Sequence, residues 1–280
     1  MVGGRRAMSY HGVLGAHAIA ISTSESPDMP VLGLSNEHLR DAMAEIARHM
    51  LALGAHLVYG GDLRAHGFSE LLFELVARHY RDADEGGNRT GVVNYLAWPV
   101  HIRMDVADIA KASSDLSGAA ELVCLTIEGV RQTTEERRLL EQQEPTDDEW
   151  SAGLTTMRHV ILSQSHARIV LGGRVDQYKG VMPGIAEEAL LSLKARQPLF
   201  LLGGFGGCAR DIAEMLGIIE PWAVSRSGWP GRNEFKNFTV ADLNNGLTRE
   251  ENMTLARTPH IDQSIALIMR GLLNSSGTGA

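Results

Sequence analysis

The chain alternates short apolar runs with longer segments in which apolar residues recur every three or four positions. Short runs are typical of buried strands, and the longer spacing is typical of helices with one buried face. The runs predict strands at residues 16–23, 56–59, 92–97, 121–127, 168–171 and 199–202. The longer spacing predicts helices at residues 35–53, 68–80, 148–164, 182–195, 208–216, 249–257 and 261–273. This alternation predicts an α/β fold built on a mostly parallel sheet.

The same pattern divides the chain along its length. Residues 16–216 carry the alternation of strands and helices, whereas residues 217–273 continue with loops and helical segments and predict a helical C-terminal extension. We expect residues 1–15 to form a flexible N-terminal tail and residues 274–280 a disordered one. Residues 131–148 are dense in glutamate, glutamine and arginine, which predicts a solvated helix or an excursion from the sheet.

Composition and charge exclude several classes of protein. With 280 residues, of which 44% are apolar and 21% charged, the chain can bury a large core. The net charge of −8 argues against nucleic acid as a partner, because binding its backbone needs a basic surface. No apolar run approaches the roughly 20 residues of a membrane helix, and no secretory signal is recognisable, so we expect a cytoplasmic protein without a membrane partner. Cys124 and Cys208 lack a CxxC partner and the eleven histidines lack metal-ligand spacing, so neither a disulfide nor a metal is predicted.

Glycine is in excess, and its positions predict a ligand site. There are 30 glycines in 280 residues, about 11% against a usual ~7%. Many follow predicted strands, at the edge where parallel sheets bind ligands, and glycine there lets the backbone approach a phosphate. The alternative is that these glycines only make tight turns between strands and helices. The predicted ligand-binding glycines are Gly60, Gly61, Gly172, Gly173, Gly184, Gly203, Gly204, Gly206 and Gly207.

Polar residues near the same edge extend this prediction. Ser22 and Thr23 end the first strand and either donate hydrogen bonds to a phosphate or cap a turn. Asp62 and Arg64 follow the second strand and either contact a ligand or pair with each other. A GxGxxG motif after the first strand and a GxxxxGK[ST] motif are both absent, so an ordinary dehydrogenase or a P-loop kinase is not predicted.

Several segments resemble the SLOG superfamily of Rossmann-like domains. They are AIAIST at the first strand, LVYGG followed by Gly67, the Thr-Met-Arg of a later helix, IVLGGR, and PGIAEEALLSL. The superfamily includes the LOG phosphoribohydrolases, often called lysine decarboxylases, the DprA proteins and ligand-sensing domains of TRPM channels. The resemblance covers residues 16–216 and implies a doubly wound Rossmann-like sheet and a homo-oligomer, with a dimer expected.

The LOG signature Pro-Gly-Gly-x-Gly-Thr-x-x-Glu is present here in two separated halves. Leucine replaces the proline before Gly172, and Ile185 stands where the signature has threonine. The insertion at residues 174–183 brings in Arg174 and Lys179. The resemblance implies that Glu188 binds ribose hydroxyls or stabilises an oxocarbenium-like sugar. It also implies that Arg158 faces the same pocket.

The start of the predicted helix at residues 182–195 leaves open which glutamate contacts a ligand and what that ligand is. Helical spacing alone does not distinguish Glu187 from Glu188, and both also fit the acidic residues that a helix dipole favours in its first turn. Ile185 removes a hydroxyl donor from the expected phosphate position, while the insertion and the glycine loop suit a larger ligand that carries a diphosphate.

We therefore expect the chain to bind, and so to sense, a nucleotide or an NAD-derived ligand such as ADP-ribose, with no cofactor required. The first alternative is a nucleotide N-glycoside hydrolase that uses Glu188 and Arg158. The second is a non-catalytic oligomerisation module.

Overall fold

The computed structural model describes residues 12–64, 66–82, 91–116, 118–221 and 228–277, which fold around one seven-stranded sheet. The order across the sheet is β5-β4-β3-β2-β1-β6-β7, and every neighbouring pair is parallel except β4 and β5. The strands are β1 Ala18–Ser24, β2 His56–Gly60, β3 Val92–Leu96, β4 Ala120–Leu125, β5 Arg131–Gln132, β6 Ala167–Gly172 and β7 Leu199–Leu202. The predicted Rossmann-like, doubly wound α/β fold is confirmed.

Helices cover both faces of this sheet. They are α1 Asn36–Ala52, α2 Phe68–Asp82, α3 Trp98–His101, α4 Val106–Asp115, α5 Thr134–Arg138, α6 Asp147–Ser163, α7 Gly184–Lys194, α8 Gly207–Met215, α9 Arg249–Arg257 and α10 Ile261–Gly277. The sequence pattern missed α3 and α4, which are short. Among the described helices, none has the length and apolarity that crossing a bilayer requires.

Helix α1 shows how local sequence fixes an element. The Nδ1 atom of His38 lies 3.0 Å from the backbone N–H of Ser35 and accepts its hydrogen bond at the start of the helix. Leu39, Met43 and Ile46 then turn inward and are fully buried in the core of the sheet. The three-to-four spacing therefore predicted both the helix and its buried face.

The C-terminal residues pack on the sheet. Leu255 of α9 and Ile268 of α10 are fully buried in the same apolar cluster as Ile19 of β1. Helix α10 continues to Gly277, so residues 274–277 are helical and the expectation of a disordered tail there is corrected. Residues 278–280 lie outside the described residues.

The expected N-terminal tail also differs from the structure where it is described. Residues 1–11 lie outside the described residues, but Leu14 is fully buried, and its backbone N–H donates to the carbonyl oxygen of Leu53 at 2.9 Å. The last part of the expected tail is therefore packed against the end of α1.

The charged segment after β4 is anchored by a buried arginine. Arg137 of α5 is fully buried, although its neighbour Leu139 is 83% exposed. Its guanidinium donates to four carbonyl oxygens, those of His101, Ile102, Met104 and Leu140, at 3.0–3.1 Å. Burial lowers the pKa of Arg137. The predicted excursion exists, but this contact ties it to the segment after α3, which forms one wall of the cleft described below.

Replacing Arg137 tests this anchor. We expect Arg137→Met to lower the free energy of unfolding by about 3 kcal/mol, because four carbonyl groups, two of them in buried contacts, lose their donor. Urea denaturation followed by circular dichroism measures this change. The matched control is Arg138→Met, because Arg138 is 57% exposed and makes only a 3.9 Å ion pair with Glu135, and its effect should stay within about 0.5 kcal/mol. Equal losses in the two variants would contradict the anchor.

Candidate functional site

Two adjoining cavities lie at the carboxyl edge of the sheet. The larger has a volume of about 810 Å³ and the smaller about 210 Å³. The strand order reverses beside β1, whose neighbours are β2 and β6, and such reversal points are where open parallel sheets bind ligands. The two cavities adjoin at this point, because they share five lining residues: Thr23, Ser24, Tyr59, Gly60 and Arg174.

The large cavity combines an apolar wall with a cationic rim. Its wall includes the rings of Tyr59, Phe68 and Trp150 together with Met157. Asp62 is the only carboxylate among the described residues that line it. Four cationic side chains also line it, namely Arg64, Arg103, Arg174 and Lys179. A planar apolar group joined to an anionic group matches this combination.

Trp150 connects the wall to the rim. The Nζ atom of Lys179 lies 5.4 Å from the centre of the Trp150 ring, and the Cζ atom of Arg103 lies 5.8 Å from it. Arg103 also donates to Glu144 at 2.8 Å. Neither Trp150 nor Arg103 was assigned a role from sequence, because the start of α6 and the segment after α3, on which they lie, are far from the glycine motifs along the chain.

The small cavity contains Arg158 and Glu188, which the family resemblance selected, and Ser22, which was selected from its place at the end of the first strand. Ser22, Arg158 and Glu188 line it together with Gly184 at the start of α7. Ile185 also lines it and is almost fully buried, so an apolar side chain stands beside the first turn of the helix.

Four largely buried charges lie together beside this cavity, and two of them, Arg158 and Glu188, line it. Arg168 of β6 donates to Glu188 at 2.8 Å, and Ser22 also donates to the same carboxylate. Arg158 pairs with Glu187, and its Nε atom lies 3.7 Å from Glu188. The side chains are only 1–13% exposed, and the two guanidinium charges balance the two carboxylates. In a buried cluster of this kind the opposite charges pair with one another, since an unpaired buried charge is costly.

Burial sets the electrostatics of two neighbours of Glu188. Burial lowers the pKa of Arg168, and the nearby carboxylate of Glu188 opposes that change. Burial also raises the pKa of Tyr59, and the charges of Glu188 and Asp62 raise it further. Tyr59 therefore carries a neutral hydroxyl, and it lines both cavities.

Arg168 was missed by sequence reasoning although a signal was present. It is an arginine inside an otherwise apolar strand whose six residues are all buried. Its Nε atom donates to Ser192 at 3.0 Å, and Ser192 donates to Gln197 at 2.8 Å. A charged residue in a buried strand requires a partner, but the sequence does not say which one.

The structure brings most of the predicted site residues together. The two cavities are lined by Ser22, Thr23, Gly60, Gly61, Arg158, Arg174, Gly184 and Glu188. Within the described part of the chain, no group of three or more His, Cys, Asp and Glu side chains could hold a metal ion. The role of each residue toward a ligand stays a prediction.

Gly172 and Gly173 lie below the cavities and do not line them. Both have positive φ angles, +66° and +104°. A β-carbon on Gly172 would come within 2.6 Å of the carbonyl oxygen of Ser24, and one on Gly173 within 2.8 Å of Ile185. Glycine is needed here for the close turn between β6 and the insertion.

The glycine loop after β7 packs against the protein itself. A β-carbon on Gly204 would overlap with the carbonyl oxygen of Thr258, and one on Gly203 would lie 2.5 Å from that of Ala256. A β-carbon on Gly206 would lie 2.5 Å from Asp28.

Asp28 also explains the start of α8. The backbone N–H of Gly207 donates to Asp28 at 2.6 Å, so a carboxylate already occupies the amino end of the helix where a phosphate was expected. The loop lines neither cavity, and packing accounts for its glycines, whereas ligand binding by them stays a prediction.

Replacing Gly204 tests the packing role. We expect Gly204→Ala to lower the free energy of unfolding by about 2 kcal/mol, because the new methyl group meets the backbone of Thr258. The control is Gly33→Ala, where φ is +69° and no atom of the described residues lies within 4 Å, so backbone strain alone should cost about 1 kcal/mol. Thermal unfolding of both variants compares these costs. A Gly204→Ala protein as stable as the wild type would contradict the packing role.

No curated protein matches the chain. A model of the SLOG cluster2 family, however, matches residues 13–255. These residues include both cavities and extend beyond the predicted boundary at residue 216. The chain belongs to the SLOG cluster2 family.

Proposed function

We propose that the chain binds a nucleotide or an NAD-derived ligand such as ADP-ribose in the cleft formed by the two cavities, and acts as a sensor of that ligand. Membership of the SLOG family supports a nucleotide-related function. The observation that carries the proposal is the large cavity, where aromatic and apolar side chains face four cationic groups at the reversal point of the sheet. Its volume of about 810 Å³ suits a ligand larger than a mononucleotide.

The charge distribution supports a diphosphate in the large cavity. The buried cluster beside the small cavity is neutral, because each guanidinium already pairs with a carboxylate. The cations on the rim are more accessible, since Arg174, which pairs with Glu25, is 46% exposed and Lys179 is exposed as well. Phosphates therefore interact with the rim, and the apolar wall accommodates the base.

Replacing Arg174 tests the rim. We expect Arg174→Ala to weaken ADP-ribose binding about tenfold, because one charge-assisted contact is lost. Isothermal titration calorimetry measures the affinity. The matched control is Lys194→Ala at the end of α7, where Lys194 is 54% exposed and likewise pairs with one carboxylate, Glu234; its affinity should stay within about twofold of the wild type. If no binding of AMP, NAD or ADP-ribose is detected for the wild type, the proposal is wrong.

Nucleotide N-glycoside hydrolysis is the second candidate function. It is favoured by the arrangement of Glu188, Arg158 and Ser22 around the small cavity. The contacts of Glu188 favour binding without reaction, because its carboxylate already accepts hydrogen bonds from Ser22 and Arg168. In addition, Ile185 supplies no hydroxyl group to the cavity. The two candidate functions therefore differ in whether the bound ligand keeps its base.

Replacing Glu188 separates the two. We expect the wild type to bind ADP-ribose and to release neither adenine from AMP nor nicotinamide from NAD, as measured by chromatography. We expect Glu188→Gln to lower the free energy of unfolding by about 3 kcal/mol, since Arg168 loses the charge of its partner. Base release by the wild type that Glu188→Gln abolishes, with binding retained, would instead establish the hydrolase.

Assembly is a third possibility that the same samples address. A non-catalytic oligomerisation module would form an oligomer by sedimentation that is indifferent to nucleotides. A homo-oligomer that also binds ADP-ribose is compatible with the sensor that we propose.

A further inference from the structure

The large cavity contains one carboxylate among its cations. Asp62 follows β2 by two residues, and among the described residues that line this cavity it is the only acidic one. A carboxylate repels the phosphates of a nucleotide, so its place in this lining indicates a contact with a different part of the ligand.

Asp62 is paired with a neighbouring cation of the same loop. Its Oδ1 atom lies 3.2 Å from the Nε atom of Arg64, and the two side chains are 44% and 68% exposed. Both side chains line the large cavity and are within reach of a bound molecule. Because the ion pair is made through Oδ1, the Oδ2 atom of this half-exposed carboxylate can accept a hydrogen bond from a ligand.

In the dinucleotide-binding class of doubly wound sheets, the end of the second strand contacts a ribose. When a nucleotide lies across the reversal point beside the first strand, an acidic residue after the second strand accepts from the ribose 2′-hydroxyl. An arginine at that place accommodates a 2′-phosphate instead. Here both side chains are present, and Asp62 holds the guanidinium of Arg64.

We propose that Asp62 makes the cavity select nucleotides whose ribose carries a free 2′-hydroxyl and reject those that carry a 2′-phosphate. The inference rests on the proposed function and specifies its ligand class. The carboxylate accepts a hydrogen bond from the hydroxyl, repels a 2′-phosphate dianion, and pairs with the arginine that would otherwise bind that phosphate.

The test compares ligand pairs that differ only at the 2′ position. Calorimetry with the full chain measures the affinities for ADP-ribose and ADP-ribose 2′-phosphate, and for NAD and NADP. We expect the wild type to bind the 2′-hydroxyl form of each pair at least about tenfold more tightly. In Asp62→Ser the ratio should fall to about threefold or invert, because the repulsion is lost and Arg64 is released. Asp62→Asn keeps the shape of the side chain and should give an intermediate ratio.

A matched control removes another carboxylate near the cleft. Glu25 is 50% exposed and pairs with Arg174, as Asp62 pairs with Arg64, but it does not line the large cavity. Glu25→Gln changes the net charge by the same amount and should leave the ratio of the two affinities within about twofold of the wild type. The ratio therefore separates a contact with the ribose from a general effect of charge.

The outcomes distinguish this inference from the function on which it rests. If the wild type binds both members of each pair equally, or if Asp62→Ser keeps the ratio of the wild type, the inference is wrong and the proposed function stands. If the wild type binds neither the four compounds nor AMP, the proposed function is wrong, and the selectivity that depends on it is wrong too. Thermal unfolding confirms that each variant is folded.

Discussion

The cleft depends on two arginines and two glutamates that are packed together where β1, α6, β6 and α7 meet. An isolated ionised group in this position would lose several kcal/mol of hydration free energy. Arg168 pairs with Glu188, and Arg158 pairs with Glu187, so the cluster is neutral as a whole. Because Ser22 of β1 donates to Glu188 as well, the same contacts fix the start of α7 against the first strand. This position sets the shape of the small cavity.

Because this buried cluster is neutral, an anionic ligand is attracted mainly by the cationic side chains on the rim of the large cavity. The accessible cations at the cleft are side chains near solvent, such as Arg174, which pairs with Glu25, and Lys179, on the insertion that separates the two halves of the LOG signature. The amino end of α8 does not add to this attraction, because Asp28 already accepts from Gly207 there. The insertion therefore supplies cations to the cleft, while the loop after β7 joins the sheet to the segment around Thr258.

Local patterns predicted the elements well, because strand and helix spacing depends on which residues face the core. They predicted α9 at its observed bounds, Arg249–Arg257. The resemblance implied that Arg158 and Glu188 share a pocket, and Ser22 was selected from its place at the end of the first strand; all three line the small cavity. Contacts between distant parts of the chain could not be predicted in this way. Arg137 looked like one more solvated charge, yet it is fully buried. Trp150 lines the cleft, and the segment before it is anchored to the end of α3, because Arg137 donates to the carbonyl oxygens of His101 and Ile102. The glycines after β7 fitted a phosphate loop equally well until the contact with Thr258 was known.

Glu187 and Glu188, which are adjacent at the start of α7, have different roles in the structure. Their side chains are only 8% and 13% exposed, but they have different partners. Glu187 accepts from Arg158 and Thr155 and so holds α7 against α6. Glu188 accepts from Arg168 and Ser22 and lines the small cavity. The donors hold the carboxylate of Glu188 in one position and orientation, which suits orientation of a bound sugar. The arrangement therefore favours recognition of a ligand, and this preference follows from the partners of Glu188 as well as from the isoleucine that replaces threonine.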